Sequence, residues 1–149
     1  MTEFYFEDLT PGLRLPALEH RLTEAEIFAF ATAYDPQSFH IDPEAAKGSA
    51  FGGIIASGVN TYAIAYKLLA DTGIFQAALI GGLGADEVRW PAPARPGDLL
   101  RLDAEVTEAI PSRSKPDRGV IKTRTALVNQ DGATVVSLIA LDMMKKRSA

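Results

Sequence analysis

Asp35 and His40 lie five residues apart in the turn-rich segment Tyr34–His40, which reads YDPQSFH. A carboxylate and an imidazole together can move one proton onto a substrate and another off it near neutral pH. Pro36 has no N–H and keeps Asp35 away from the α region, so we predict a loop here that is not easily helical. The pair is a candidate for acid–base catalysis.

The same segment also has a structural interpretation. Asp-Pro turns are common, and the Asp35 carboxylate can simply accept backbone N–H bonds within the turn. His40 can be a buried histidine whose ring is satisfied by its neighbours. For an isolated pair at this spacing the structural interpretation is favoured, so the catalytic one depends on the remainder of the chain.

Composition limits the chemistry that is available. The chain has 149 residues, of which 47% are hydrophobic, which is enough for one domain with a real core. It has no cysteine, which excludes disulfides, a thiolate nucleophile and a zinc-thiolate site. With only two histidines, we expect no metal centre. A net charge of −4 argues against a broad nucleic-acid surface.

The sequence also indicates where the protein works. No run of 18 or more apolar residues is present, so we expect no membrane partner. The first eight residues, MTEFYFED, are acidic and lack the basic and apolar regions of a secretory signal. We therefore expect a cytoplasmic protein.

Local signals place the elements that surround the pair. Thr23 and Glu26 form a capping box, which predicts a short amphipathic helix over residues 24–34 that delivers Asp35 at its end. A short strand is expected around residues 18–22. Asp42 followed by a proline is typical of a second helix start, and Gly48 ends that helix.

The most apolar long segment covers residues 54–72. Apolar side chains occupy almost every face of it, which is typical of a buried helix. Ser57 or the residues just before it can cap the helix, and Gly73 fits its end.

After residue 80 the apolar period changes to two. We predict strands over residues 83–90, 100–107, 119–129 and 133–145, the last two joined by a turn at residues 129–132. At least four antiparallel strands after one buried helix predict an α+β domain, in which a curved sheet wraps around that helix.

In several separate segments the chain resembles the MaoC-type dehydratases, a hotdog-fold family that includes R-specific enoyl-CoA hydratases. The likeness covers about residues 7–145 of a single domain spanning residues 1–149. It is carried by the following segments: Asp35–Ala46, Phe51–Gly58, Arg89–Pro91 with Arg95–Leu100, Ser112–Gly119 and Asn129–Gly132.

The resemblance implies that Asp35 and His40 are the catalytic pair. Gln37 and Ser38 stand where the family motif has Asn and Pro, and Ser57 stands where it often has His. These differences leave the pair intact but open the question of substrate class. Because Gly58 opens the central helix, its backbone N–H is a candidate donor to a developing oxyanion; close packing of the helix on the sheet is the structural alternative.

The implied reaction is reversible addition of water to a 2-enoyl-CoA, with the CoA thioester as substrate and no cofactor. Asp35 is the expected base, with His40 orienting the water and delivering the proton, although the roles can be exchanged. Candidate substrate-binding residues are Gln37, Ser57, Tyr62, Arg113 and Lys115. For Tyr62 core packing is the alternative, and for the two cations a solvated hairpin tip.

Trp90, next to Pro91, can line an acyl tunnel or serve as a core or interface aromatic.

Two other functions stay open. One is a hotdog acyl-CoA thioesterase, which the absence of Asp and Glu from residues 57–70 argues against. The other is a catalytically inactive acyl-CoA-binding module. The family likeness further implies a homodimer or a higher homo-oligomer, because an exposed sheet edge favours pairing with a second copy.

Overall fold

The computed structural model describes residues 2–148. After a single 3-10 turn at Phe6–Asp8, the elements follow in this order: β1 (Glu19–Arg21), α1 (Glu24–Tyr34), α2 (Ser38–Ile41), α3 (Pro43–Lys47), α4 (Gly58–Asp71), β2 (Leu79–Arg89), β3 (Leu99–Pro111), β4 (Arg118–Val128) and β5 (Thr134–Lys145). The predicted α+β class is confirmed.

The helix boundaries predicted for α1 and α3 from their capping residues are confirmed. Thr23 Oγ1 accepts the N–H of Glu26, and the Glu26 carboxylate accepts the N–H of Thr23, both at 3.2 Å. This capping box starts α1 at the predicted residue. The Asp42 carboxylate caps α3 by accepting two backbone N–H groups, and Gly48 follows its last residue.

The prediction that the Asp35–His40 segment is not helical was wrong for its second half. Asp35 is non-helical, with φ −155° and ψ 70°, as Pro36 requires. From Ser38 onward nothing opposes a turn of helix, and α2 forms there and carries His40. The proline at position 43 restricts Asp42 in turn, so α2 ends at Ile41.

Helix α4 is shorter than the apolar segment that predicted it. Its N-cap is Ser57, whose hydroxyl oxygen accepts the N–H of Val59 at 3.2 Å. The residues before it are not helical because their backbone donors bond elsewhere: the N–H of Ile55 to Phe39 O, and the N–H of Ala56 to Ala94 O. The apolar character of residues 54–56 therefore reflects burial under neighbouring segments rather than helix.

The five strands form one antiparallel sheet in the order β1-β3-β4-β5-β2. Helix α4 packs on this sheet through its buried side chains: Asn60, Thr61, Ile64, Ala65, Leu68 and Leu69. Strand β2 begins four residues earlier than predicted and forms one edge of the sheet. The side chains of β2 are exposed or half-buried along its whole length. Because β2 pairs only with β5, the backbone of its other side has no strand partner in this sheet.

Candidate active site

The two halves of the candidate pair are positioned by α1 and α2. The N–H of Asp35 donates to Ala31 O at 2.8 Å and closes α1, so the carboxylate leaves the helix at its C-terminal end. One turn later α2 turns His40 inward, where only 4% of its surface is exposed. The His40 Nε2 atom lies 3.4 Å from Asp35 Oδ2. The structure therefore brings the two predicted groups together.

Ile55 determines which nitrogen of His40 carries the proton. The His40 Nδ1 atom lies 2.7 Å from the carbonyl oxygen of Ile55. A carbonyl oxygen can only accept, so Nδ1 must be the protonated nitrogen of the neutral ring. This leaves Nε2 as an acceptor when the ring is neutral and as a donor when it is cationic, directed toward Asp35 in both states.

Ser57 connects the pair to the start of α4. Its hydroxyl donates to Asp35 Oδ2 at 2.6 Å, and the Ser57 Oγ atom in turn accepts the N–H of Val59 at 3.2 Å. The hydrogen bond from Ser57 restrains the rotamer of the Asp35 carboxylate. Ser57 is fully buried and contacts Asp35 through this hydrogen bond, so direct substrate binding by Ser57 stays a prediction.

Asp35 and His40 line a cavity of about 500 Å³. The remaining lining is mostly apolar and comes from three parts of the chain: Phe39, Phe51, Ile55 and Ala56; Gly58, Val59 and Thr61 of α4; and Trp90–Ala94 with Val135. A mainly apolar cavity with a few convergent polar groups is the usual form of a small-molecule site.

Gly58 lies at the N-terminus of α4 and faces this cavity. Its N–H has no acceptor among the described residues, so it is available to a ligand oxygen. The Trp90 ring packs against its other side, where a Cβ at position 58 would come within 2.4 Å of Trp90 Cε2. Close packing therefore accounts for the glycine, and the free donor makes an oxyanion role possible as well.

The structure places the remaining candidates outside the cavity lining. Gln37 is exposed, and its backbone alone forms hydrogen bonds. Tyr62 is half-buried and packs on Tyr66 with 5.0 Å between ring centroids. Arg113 and Lys115 lie on the exposed β3–β4 turn. Strand β3 separates that turn from the cavity end of the sheet by roughly 40 Å at about 3.3 Å per residue, so substrate binding by these residues stays a prediction.

Several lining residues were not singled out from the sequence. Ile55 contributes through its carbonyl group, which no side-chain pattern reveals. Val135, the second residue of β5, lines the cavity, and so does Thr61 of α4. A usable signal did exist for the stretch 91–94, where alternating prolines after a strand indicate a rigid segment without regular structure. Among residues 2–148, no group of His, Cys, Asp and Glu side chains is arranged to hold a metal ion.

Comparison with known proteins identifies the family of the chain. The family model described as MaoC like domain matches residues 11–129. Uncharacterized protein YdeM of Bacillus subtilis is 31% identical over 124 residues, covering 83% of this chain and 86% of the relative. Protein MaoC of Klebsiella aerogenes is 32% identical over 99 residues, which span 66% of this chain and only 29% of that protein.

Solved structures extend the likeness to the whole fold. The MaoC-like dehydratase of Rhodospirillum rubrum superposes with a TM-score of 0.90 and 40% identity, covering 98% of this chain and 99% of the other. The R-hydratase PhaJ1 of Pseudomonas aeruginosa has a TM-score of 0.76 and 25% identity over 97% of this chain and 88% of the other. The sheet and its central helix are thus those of a hotdog domain, and the chain belongs to the MaoC-like dehydratase family.

Proposed function

We propose that this protein adds water reversibly to the double bond of a 2-enoyl-CoA, which in reverse is the dehydration of a 3-hydroxyacyl-CoA. The observation that carries the proposal is the Asp35–His40 pair at the wall of a mainly apolar cavity.

Two relatives with assigned reactions support the reaction class. Mesaconyl-CoA hydratase of Cereibacter sphaeroides is 37% identical over 68 residues, 46% of this chain and 20% of that protein. 3-Hydroxybutyryl-CoA dehydratase of Methylorubrum extorquens is 29% identical over 116 residues, 74% of this chain and 69% of that protein.

The hydrogen-bond pattern supports a role for each group in the proposed reaction. A water molecule between the two side chains gives one proton to the Asp35 carboxylate while its oxygen bonds to the β-carbon of the substrate. Cationic His40, whose Nδ1–H is held by Ile55 O, delivers its Nε2 proton to the α-carbon. Transfer of the proton from Asp35 to His40 across the 3.4 Å contact restores the starting state.

Negative charge collects on the thioester oxygen as water adds. The N–H of Gly58, at the positive end of the α4 dipole, is the proposed donor to that oxygen. Together these groups supply the proton acceptor, the proton donor and the oxyanion contact that hydration needs. The proposed reaction transfers protons and water only, so it needs no cofactor, and the CoA thioester is its substrate.

A thioesterase is less well supported. The resemblance to hotdog proteins implies that a thioesterase of this fold would use a carboxylate of the central helix as base or nucleophile. In α4 the sole carboxylate is Asp71, at the end opposite the cavity. Its side chain pairs with Lys67 at the exposed surface, with 2.5 Å between Oδ2 and Nζ. No carboxylate of α4 therefore reaches the proposed site.

The proposed reaction can be separated from hydrolysis in one assay. We expect the purified protein to remove the enoyl-thioester absorbance of crotonyl-CoA without releasing a free thiol, as measured with a thiol reagent in parallel. The physical reason is that hydration consumes the conjugated double bond and leaves the thioester whole. Thiol release at the same rate as absorbance loss would show hydrolysis, and an unchanged absorbance with all short and medium 2-enoyl-CoA substrates would reject the hydratase.

We further propose a homodimer formed along strand β2. One side of this 11-residue strand pairs with β5, and the other side is an unpaired edge. Large apolar side chains are exposed on and beside it, with these fractions: Leu79 44%, Ile80 40%, Leu83 56%, Val59 50% and Trp90 50%. A second copy added at this edge would cover these groups and continue the sheet.

Replacing Leu83 by Asp tests this interface. We expect wild-type protein to sediment with at least twice the chain mass, and the Leu83→Asp variant to shift toward the monomer because a charge is placed in the apolar contact. Ile110→Asp is the matched control, since Ile110 is 43% exposed on β3, away from the β2 edge. A wild-type monomer, or equal dissociation of both variants, would contradict the proposed interface.

A further inference from the structure

Trp90 follows strand β2 and begins the segment that closes one side of the cavity. Its indole Nε1–H donates to the carbonyl oxygen of Gly58 at 2.8 Å. The indole has no other polar atom, so the ring surface that lines the cavity is entirely apolar. The contact spans 32 positions of the chain and places an aromatic wall beside the first turn of α4.

The segment 90–94 is held to the site at both of its ends. At one end Trp90 bonds to Gly58, and at the other the carbonyl oxygen of Ala94 accepts the N–H of Ala56 at 2.8 Å. Pro91 and Pro93 fix φ between these two anchors. A segment restrained in this way is a rigid wall, so the room that it leaves determines which ligand fits.

The surroundings of the cavity differ in polarity between the side of Phe51 and the side of Trp90. On the side of Phe51, the guanidinium of Arg95 donates to Phe51 O at 2.6 Å and forms no ion pair with any described residue. That side suits the phosphate-bearing carrier. The side of Trp90 and Val59 offers apolar groups, which suit the acyl chain.

We propose that Trp90 limits the length of the acyl group that the site accepts. This inference rests on the proposed hydratase function. In the proposed pose the thioester oxygen lies at the N–H of Gly58 and the double bond at Asp35 and His40, and the carbons beyond the double bond extend along the apolar lining toward the indole. Short acyl groups end before the ring, and longer ones collide with it. Each methylene in an apolar pocket changes specificity by roughly 10–200-fold.

The test compares substrates of four and eight acyl carbons. We expect wild-type protein to favour crotonyl-CoA over 2-octenoyl-CoA in kcat/KM, and Trp90→Ala to raise the octenoyl-to-crotonyl ratio at least tenfold by opening the wall. Trp90→Phe keeps a smaller ring without the N–H and should give an intermediate ratio. Ile110→Ala, which removes an exposed apolar side chain away from the cavity, should leave the ratio unchanged. An unchanged ratio in an active Trp90→Ala variant would overturn the proposal.

Fluorescence supplies a readout that does not depend on turnover, because Trp90 is the sole tryptophan of the chain. We expect butyryl-CoA to change the tryptophan emission and free CoA at the same concentration to leave it unchanged. An equal change with free CoA would place Trp90 at the carrier and overturn the proposal, as would binding of octanoyl-CoA as tightly as butyryl-CoA. If no 2-enoyl-CoA is hydrated, the hydratase function fails, and these titrations still decide whether Trp90 selects acyl length.

Discussion

Replacing Asp35 by Asn is expected to lower kcat for enoyl-CoA hydration by about 10³-fold, within the range that general acid–base groups contribute. Asn has the same shape and its Oδ1 can still accept the Ser57 hydroxyl, which donates at 2.6 Å in the wild type. What it loses is the basicity needed to take a proton from water. Affinity for the saturated analogue butyryl-CoA should therefore stay within about threefold, because the apolar lining is untouched.

Asp42→Asn is the matched control for this change. Asp42 belongs to the same segment, is exposed and caps α3, and Asn is an equally good N-cap. Kinetics of both variants separate the proposed enzyme from a catalytically inactive binding module. In such a module Asp35→Asn would leave function unchanged and would leave stability equal or higher. Substantial hydration by Asp35→Asn would show that Asp35 is not the base.

The second prediction with a large expected effect concerns the stability of the protein and a residue outside the cavity lining, Asp142. Asp142 is 7% exposed on β5, and no side-chain donor or cation in residues 2–148 reaches its carboxylate. Burial raises the pKa of Asp142 from 3.8 to about 6. Nearby, burial raises the pKa of the Tyr66 hydroxyl, and a hydrogen bond with Tyr62 and the charge of Asp142 raise it further. The carboxylate thus lies in surroundings that disfavour its charge.

The sign of the pH dependence follows from the raised pKa. Between pH 4 and about 7 the folded protein binds more protons at Asp142 than the unfolded chain does, so the free energy of unfolding falls as pH rises. Asp142→Asn removes the charge and should stabilise the protein by about 2–3 kcal/mol at pH 7.5, at 1.36 kcal/mol per pKa unit. At pH 4 the folded carboxyl is protonated and the unfolded one is only about half ionised, so the variant should differ from the wild type by less than about 1 kcal/mol.

Urea denaturation at pH 4 and pH 7.5 measures this difference. Asp131→Asn, on the exposed turn between β4 and β5, is the control and should change stability by less than about 0.5 kcal/mol at either pH. An Asp142→Asn variant that is less stable than wild type at pH 7.5 would mean that the carboxylate has a stabilising partner. Equal effects at both pH values would mean that its charge is not the cause.

Elements whose causes lie within a few residues could be predicted from the sequence. The capping box at Thr23 and Glu26 specifies where α1 starts, because both of its hydrogen bonds join neighbours in the chain. Alternation along residues 100–106 identifies β3 for the same reason. The pair Asp35 and His40 was found by its residue types and by the family likeness.

Prediction failed where distant segments compete for the same groups. Residues 54–56 are apolar enough for a helix, and the sequence left open whether Ser57 or an earlier residue caps α4; backbone bonds to Phe39 and Ala94 hold residues 54–56 in a non-helical path, and Ser57 is the cap. Similarly, the first part of β2 contains glycines at positions 81, 82 and 84. Glycine has a low β-propensity, so the sequence does not indicate a strand there, but hydrogen bonding to β5 makes this part a strand.

By itself, then, the chain determined its class, most of its element boundaries and the two ionisable groups of its candidate site, since these depend on residue type and near neighbours. Only the tertiary structure decided which nitrogen of His40 is protonated, through the carbonyl of Ile55, and that Ser57 holds the carboxylate of Asp35. It likewise placed Trp90 against Gly58. These contacts join residues 15 to 32 positions apart in the chain. Interactions between near neighbours in the sequence do not favour these contacts over others, so the packing of the helix on the sheet selects them.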